Sequence, residues 1–116
     1  MKVKPLKWVG SSRKDICDEN IFTPNARYVA GKQLFKVQKG EKPDEWKSFK
    51  DVGAGTNEII INLDNGWFRV MYVAKFEEAV YVLHCFKKKT NQTSQPDKAL
   101  AESRYKELVQ ERKKHG

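Results

Sequence analysis

Three consecutive runs of β-branched and aromatic residues constrain the fold of this chain most strongly. They span Glu58–Leu63, Trp67–Ala74 and Ala79–Phe86, and runs of this length and composition are typical of strands. Asn65-Gly66 separates the first two runs, and this dipeptide is the strongest short signal for a tight hairpin. Only the four residues Lys75–Glu78 join the second and third runs. The sequence therefore predicts a mainly antiparallel sheet built from consecutive hairpins.

A helix is predicted over residues 24–39. Thr23 is a favourable N-cap and Pro24 a favourable first helical residue. Gly40 is a natural C-terminal stop. Apolar residues recur at helical spacing and define a core-facing stripe, while lysines lie off that stripe on a solvated face. The stripe comprises Ala26, Val29, Ala30, Leu34 and Val37, and the lysines are Lys32, Lys36 and Lys39.

Weaker signals place the remaining elements. A strand is predicted over Lys4–Val9, a short helix from Ser12 to about Asn20, a loop over Glu41–Gly55, and a last helix from Ser94–Asp97 to about Lys113. The predicted order is β-α-α-β-β-β-α. The fold class is therefore α/β, more narrowly α+β, with helices packed on a mainly antiparallel sheet.

Length and composition favour a single domain over residues 1–116. The 116 residues are 39% hydrophobic and 11% aromatic, which suffices for a modest core. The longest apolar runs have five residues, Val70–Ala74 and Ala79–Leu83, whereas a membrane-spanning helix needs about 20. The N-terminus has no apolar signal region, and Cys17 and Cys85 lack metal-ligand or redox spacing. We therefore expect a cytoplasmic protein with reduced thiols and no membrane association, metal or cofactor.

The net charge of +8 is distributed unevenly. Residues 1–50 carry a net charge of +6, residues 51–86 a net charge of −3, and residues 87–116 a net charge of +5. Two basic arms therefore flank a central segment that is rich in strand formers. A basic excess of this size favours a polyanion such as nucleic acid or an acidic protein partner, although it is also compatible with a merely soluble basic protein.

The predicted hairpin registers place two polar residues together. A two-residue loop at Asn65-Gly66 pairs Asn62 with Arg69, and a four-residue loop at 75–78 pairs Arg69 with His84. Cross-strand partners lie about 5 Å apart at Cβ, so Arg69 and His84 would form a site in mid-sheet. Arg69 would bind an anion there and His84 would serve as acid or base. The alternative is a structural ion pair of Arg69 with Glu58 or with an acidic residue of the last helix.

The same registers assign apolar residues to the opposite face of the sheet, which would receive the long helix. They are Ile59, Ile61, Leu63, Phe68, Val70, Tyr72, Tyr81, Leu83 and Cys85.

Further basic and aromatic residues are candidates for RNA binding. The run that follows the strand of His84 would supply electrostatic stabilisation, and a basic-aromatic segment in the predicted loop would hold single-stranded nucleic acid. These residues are Lys87, Lys88 and Lys89 in the run, and Trp46, Lys47 and Lys50 in the loop. Alternatively, the lysines form a solvated loop and Trp46 anchors the loop to the body. The chemistry that fits is metal-free cleavage of RNA, in which the 2′-OH is the nucleophile.

At this point the sequence resembles the phage-derived, HigB-like branch of the RelE/ParE toxin superfamily. The matching stretches occur in the same order and with similar spacing along nearly the whole chain. They are residues 4–12, 38–47, 67–74, 79–90 and 104–108.

The resemblance implies a RelE-like fold and the toxin of a type II toxin–antitoxin pair. Such toxins are typically ribosome-dependent mRNA endonucleases, and their partners are helix-turn-helix antitoxins, here HigA-like. By resemblance, Arg69 contacts the scissile phosphate, His84 belongs to the catalytic site, and Lys87 or Lys88 matches a second basic residue after the last strand.

The chain also departs from the RelE pattern. Glu58, Ile60 and Asn62 stand on the strand where RelE-type enzymes have lysines, and Tyr105 does not match their catalytic tyrosine. Two alternatives therefore stay open. One is a ParE-like toxin that inhibits DNA gyrase and cleaves no RNA, and the other is a non-toxic RNA-binding module.

Overall fold

A computed structural model describes residues 2–88, 90 and 92–115, and shows a five-stranded sheet with three helices. The strands lie side by side in the order β1-β5-β4-β3-β2, with β1 parallel to β5 and the other neighbours antiparallel. The elements are β1 (Leu6–Trp8), α1 (Ser12–Cys17), α2 (Pro24–Gln38), β2 (Trp46–Ser48), β3 (Thr56–Leu63), β4 (Gly66–Val73), β5 (Val80–Lys88) and α3 (Gln95–His115).

The α+β class with a mainly antiparallel sheet is confirmed, but the predicted element order lacked one strand. Trp46–Ser48 is β2, which pairs with β3 inside the segment predicted to be a loop. A three-residue edge strand is too short to show alternation, and its partner lies further along the chain. The first helix is also shorter than predicted, because Asp18 adopts an extended conformation and its side chain accepts a hydrogen bond from the Asn20 amide.

The first hairpin differs from its predicted register by two residues. Its turn is formed by Asp64 and Asn65, whose φ angles are 52° and 59°, so that Leu63 pairs with Gly66. Asp and Asn both tolerate this left-handed conformation, and two such residues in succession form the turn that suits a twisted hairpin. Ile60 therefore lies opposite Arg69, where Asn62 was predicted.

A β-bulge changes the second hairpin. His84 pairs with Met71 but Val82 pairs with Tyr72, so Leu83 is the extra residue on β5. Arg69 consequently lies opposite Phe86, and the predicted cross-strand pairing of Arg69 with His84 is wrong. The shift beyond the bulge is an even number of residues, so Arg69 and His84 still share one face of the sheet.

Helices cover both faces of the sheet. On one side, which we call the α2 face, α2 packs on β3, β4 and β5 through Ala26, Ala30, Leu34, Val37, Ile59, Ile61, Phe68, Val70, Tyr72, Val82 and Cys85. On the other side, the α3 face, α3 packs through Phe49, Met71, Val73, Tyr81, Leu83, Phe86, Ala101 and Leu108. Tyr81 and Leu83 were predicted on the first of these faces and lie on the second, because the bulge reverses the alternation before it.

A buried arginine joins α3 to α1. Arg104 donates from Nη1 to the Leu83 carbonyl oxygen at 2.9 Å and from Nη2 to Ser11 Oγ at 2.8 Å. Gly10 has a φ of +57°, and a Cβ added there would lie 2.6 Å from Arg104 Nε. The contact between these elements therefore requires glycine at this turn. Among the helices in the described part of the chain, none has the length and apolar character to cross a membrane.

Candidate functional site

A buried ion pair lies at the centre of the α3 face. Arg69 on β4 and Glu58 on β3 are both fully buried, and Arg69 Nη1 lies 2.6 Å from Glu58 Oε1. Glu58 also accepts a hydrogen bond from Thr93 Oγ1 at 2.9 Å, and Lys47 Nζ lies 3.7 Å from its Oε1. Buried charges persist only when they are paired and hydrogen-bonded. The ion pair with Glu58 that the sequence left open as an alternative is therefore formed.

A second polar cluster joins the end of β5 to the first turn of α3. His84 Nε2 lies 2.8 Å from Asp97 Oδ1, and Lys88 Nζ donates to Asp97 Oδ2 at 3.0 Å. Ser94 Oγ donates to the same Oδ2 at 2.6 Å. His84 is 6% exposed and its imidazole stacks on Phe86, with ring centroids 4.4 Å apart. Asp97 therefore holds two residues that the sequence analysis had singled out, His84 and Lys88.

The protonation of this cluster follows from burial and hydrogen bonding. Burial lowers the pKa of His84 and outweighs the opposing effect of Asp97, so the imidazole is neutral at pH 7. Burial alone would raise the pKa of Asp97, but hydrogen bonds from Ser94, His84 and Lys88 lower it below its ordinary value. An ionised carboxylate only accepts hydrogen bonds, so Nε2 carries the imidazole proton. Nδ1 is then the basic nitrogen, and it has no hydrogen-bond partner among residues 2–88, 90 and 92–115.

A basic cleft opens beside the two clusters. It has a volume of about 320 Å³ and is lined by Lys47, Phe49, Gln92, Thr93 and Lys98. Lys47 Nζ and Lys98 Nζ lie 5.3 Å and 5.5 Å from the centroid of the Phe49 ring. Lys47 and Thr93 both contact Glu58, while Lys98 follows Asp97 on α3. The cleft therefore adjoins both clusters and presents two ammonium groups to a ligand.

The remaining candidate residues are distributed over both faces. Lys50 lines a neighbouring depression together with Lys47. Lys87 lies on the α2 face, with Nζ 5.4 Å from the centroid of the Phe68 ring. Trp46 lies opposite Ile59, also on the α2 face, under the ammonium of Lys42. The sheet separates Trp46 from the cleft, whereas Lys87 lines a second depression of about 450 Å³ together with His84 and Lys88. Lys89 lies outside the described residues.

Two contributors to this region were not predicted from the sequence, and two others were predicted in a smaller role. Thr93 and Lys98 were not considered, Asp97 was considered only as part of a helix start, and Glu58 only as an ion-pair partner. The signal for Asp97 was present, because Ser94 and Asp97 have the spacing of a helix cap and the carboxylate accepts from the Ser94 hydroxyl. Its contact with His84 depends on how α3 packs on β5. The described residues include no cluster of three or more His, Cys, Asp or Glu side chains that could hold a metal ion.

Comparison with known proteins gives one match. The family model described as phage derived protein Gp49-like (DUF891) matches residues 20–106, which include β2 to β5 and the first half of α3. No curated protein and no solved structure matches the chain. The matched segment is about three quarters of the sequence and contains every described residue of the two polar clusters and the cleft. The chain therefore belongs to the phage-derived Gp49-like family, which is a RelE-like, toxin-like family.

Proposed function

We propose that this protein is a HigB-like toxin of a type II toxin–antitoxin pair and cleaves mRNA on the ribosome. One observation carries the proposal: the basic cleft at Lys47 and Lys98 adjoins a hydrogen-bonded cluster of His84, Asp97 and Lys88. Cationic groups that bind phosphate and a neutral imidazole that accepts a proton are the two requirements of metal-free RNA cleavage. Membership of the Gp49-like family supports the same conclusion.

RNA binding would depend on charge. The net charge of +8 attracts a polyanion, and the ammonium groups of Lys47 and Lys98 face the cleft above the Phe49 ring. Lys50 extends this basic surface along the neighbouring depression. Binding through lysine–phosphate contacts releases counterions, so RNA affinity falls as the salt concentration rises.

In the proposed cleavage step, the 2′ oxygen attacks the adjacent phosphorus and the bond from phosphorus to the 5′ oxygen breaks. His84 Nδ1 takes the proton of the 2′-OH, and Asp97 stabilises the imidazolium that forms through its contact with Nε2. The leaving 5′ oxygen takes a proton from water. Lys88 stabilises the developing negative charge, and Arg69 contributes at longer range because Glu58 holds its guanidinium. The products are a 2′,3′-cyclic phosphate and a 5′-hydroxyl.

Burial sets a condition on this mechanism. Since His84 is 6% exposed and Arg69 is fully buried, RNA binding has to open the cluster before Nδ1 reaches a 2′-OH. Catalytic contacts are often incomplete in the free enzyme and form in the substrate complex. The same burial favours a second candidate function, in which the cleft binds RNA and no bond is cut.

The test is mRNA cleavage in a reconstituted translation reaction, with and without ribosomes, mapped by primer extension. We expect ribosome-dependent cuts by the wild type and at least a hundredfold slower cutting by His84→Asn. Lys88→Ala removes the ammonium that contacts Asp97, and its control Lys106→Ala removes an ammonium from an exposed position on α3. Only Lys88→Ala should slow cutting strongly. An mRNA with a single 2′-deoxynucleotide at the cut site should resist cleavage.

Other outcomes identify other functions. If the wild type arrests growth and cuts no mRNA, the endonuclease proposal fails and DNA supercoiling by gyrase becomes the assay, as for a ParE-like toxin. If the wild type binds RNA and neither cuts it nor arrests growth, the protein is an RNA-binding module. Cleavage that survives the 2′-deoxy substitution would exclude the 2′-OH as nucleophile. The proposed partners are the ribosome, mRNA and a HigA-like helix-turn-helix antitoxin, whose gene should lie beside this one.

A further inference from the structure

The outer face of α2 carries two exposed aromatic residues. Tyr28 is 67% exposed and Phe35 is 50% exposed, and their spacing of seven residues places them on one side of the helix. They lie on the side opposite the buried positions Ala26, Ala30 and Leu34. Large aromatic side chains this exposed on one helical face are typical of surfaces that bind another molecule.

A glycine lies between these two aromatics. Gly31 is exposed and lies inside α2, three residues after Tyr28 and four before Phe35. Apart from its chain neighbours and the backbone of its own helix, a Cβ added to Gly31 would meet no atom of the described residues within 4 Å. Glycine destabilises the interior of a helix relative to alanine, and no contact inside this molecule requires it here. The backbone at this point is instead open to close approach by another chain.

The surroundings of the two rings are positively charged. Lys32 Nζ lies 5.4 Å from the centroid of the Tyr28 ring and Lys39 Nζ lies 4.8 Å from that of Phe35. Together with Gly31 these residues form a basic-aromatic stripe along α2, beside a groove of about 490 Å³. Lys36, at the edge of this groove, is paired with Asp44, and Lys39 Nζ also lies 3.5 Å from the exposed Glu41 Oε2.

We propose that the basic-aromatic stripe of α2 is the docking surface for an amphipathic helix of a partner protein, with acidic side chains flanking its apolar face. The apolar side chains of that helix would pack between the Tyr28 and Phe35 rings over Gly31. Its carboxylates would meet Lys32 and would replace the exposed Glu41 at Lys39. A second copy of this chain fits poorly, because two such stripes would bring lysines against lysines.

The proposal is independent of the proposed function, because α2 and the basic cleft lie on opposite faces of the sheet. Occupation of the stripe need not affect the cleft. The test therefore uses binding to α2 as its readout and requires no nuclease activity.

The probe is a designed 20-residue helical peptide with leucines along one face and glutamates on both flanks, labelled for fluorescence anisotropy. Its control is the same peptide with lysines in place of the glutamates. We expect the acidic peptide to bind the wild type and the basic peptide to bind at least tenfold more weakly. Gly31→Leu fills the open backbone and should weaken binding of the acidic peptide at least tenfold. Lys106→Leu adds the same side chain at an exposed position of α3 and should leave binding within twofold.

Thermal unfolding provides the check on the fold, and Gly31→Leu should melt no lower than the wild type. The proposal is overturned if the acidic peptide does not bind, or if Gly31→Leu binds it as tightly as the wild type. It is also overturned if a 20-nucleotide RNA competes for the stripe, so that Gly31→Leu weakens RNA binding tenfold. Self-association of the wild type that Gly31→Leu abolishes, measured by sedimentation velocity, would identify a second copy as the occupant.

Discussion

The contribution of the buried ion pair of Glu58 and Arg69 to the free energy of unfolding can be tested most sharply. Arg69→Met removes the guanidinium that lies 2.6 Å from the carboxylate and leaves Glu58 with Thr93 and with Lys47 at 3.7 Å. Removal of one member of a buried ion pair costs about 3–5 kcal/mol, out of a total stability of about 5–15 kcal/mol for a domain. For a chain of this length, about 4 °C is lost per kcal/mol. We therefore expect the melting temperature to fall by roughly 12–20 °C.

The double variant separates pairing from packing. Glu58→Leu alone should also destabilise strongly, because it removes the carboxylate that lies 2.6 Å from the buried Arg69 guanidinium. Glu58→Leu combined with Arg69→Met replaces both charges by apolar groups of similar size, which is often neutral. We expect the double variant to lose less than about 2 kcal/mol, so that the coupling between the two positions is at least about 2 kcal/mol. The control is Lys47→Met, because the Lys47 side chain is 44% exposed and its removal should cost less than about 1 kcal/mol.

Urea unfolding followed by circular dichroism measures the free energy of unfolding of the wild type and of each of the four variants. If the two single losses simply add in the double variant, the buried pair is not the source of the cost and the reasoning is refuted. The result also decides how activity data are interpreted. Loss of mRNA cleavage in an Arg69 variant identifies a functional arginine only if the double variant, which should remain folded, is inactive as well.

Three further predictions concern single side chains. Gly31→Ala should stabilise the free protein by about 0.5–1 kcal/mol, since the helix gains a better residue and the added Cβ has open space, and thermal melting should rise by about 2–4 °C. Because burial lowers the pKa of His84, folding stability should fall as pH drops below 6.5, where the unfolded state takes up the proton first. The urea concentration at the midpoint of unfolding, measured from pH 7 to pH 5, should therefore fall less steeply for His84→Asn than for the wild type. Equal slopes for the two proteins would contradict this prediction. Arg112 and Tyr81 hold the pKa of Glu78 at about 2, so in an Arg112→Ala variant NMR titration should find that pKa well above 2.

Apart from β2, the strands were predictable, as were the bounds of two of the three helices, because their signals are local. Thr23 donates to Asp64 and accepts from the Ala26 amide, and α2 begins at Pro24 as predicted. The hairpin over residues 58–74 was also predicted correctly, but its turn shifted by one residue from Asn65-Gly66 to Asp64-Asn65. Both pairs of residues suit a tight turn, so local propensity alone could not choose between them.

The predicted face of a side chain was more often correct than its predicted cross-strand partner. A turn that moves by one residue shifts the register by two, and a shift of two returns every side chain to its original face. Arg69 therefore kept its face although its partner changed to Ile60 on one side and Phe86 on the other. The bulge at Leu83 has the opposite effect, because one extra residue moves the side chains that precede it on β5 to the other face of the sheet. No local sequence feature marked the bulge, and Tyr81 and Leu83 were accordingly placed on the wrong face.

In the two polar clusters, the sequence likewise identified individual residues but not their partners. Arg69 and His84 were identified because charged and titratable residues are unusual in apolar strands. Their partners, Thr93 and Asp97, come from the segment that leads into α3. Whether that segment crosses the α3 face is decided by the packing of Ala101 and Leu108 against the sheet. The sequence could thus indicate which residues needed partners, while tertiary packing determined which partners they received.

The two proposals concern two basic surfaces that lie on opposite faces of the sheet. The stripe on α2 and the cleft beside α3 are both basic, yet the sheet and its apolar layers lie between them. Exposed charges interact weakly beyond the Debye length of about 8 Å at physiological salt. An acidic helix on the stripe would therefore leave the potential of the cleft largely unchanged. A partner that blocks RNA through this contact would have to reach around the sheet with a second segment, so that the stripe supplies affinity and the second segment supplies inhibition.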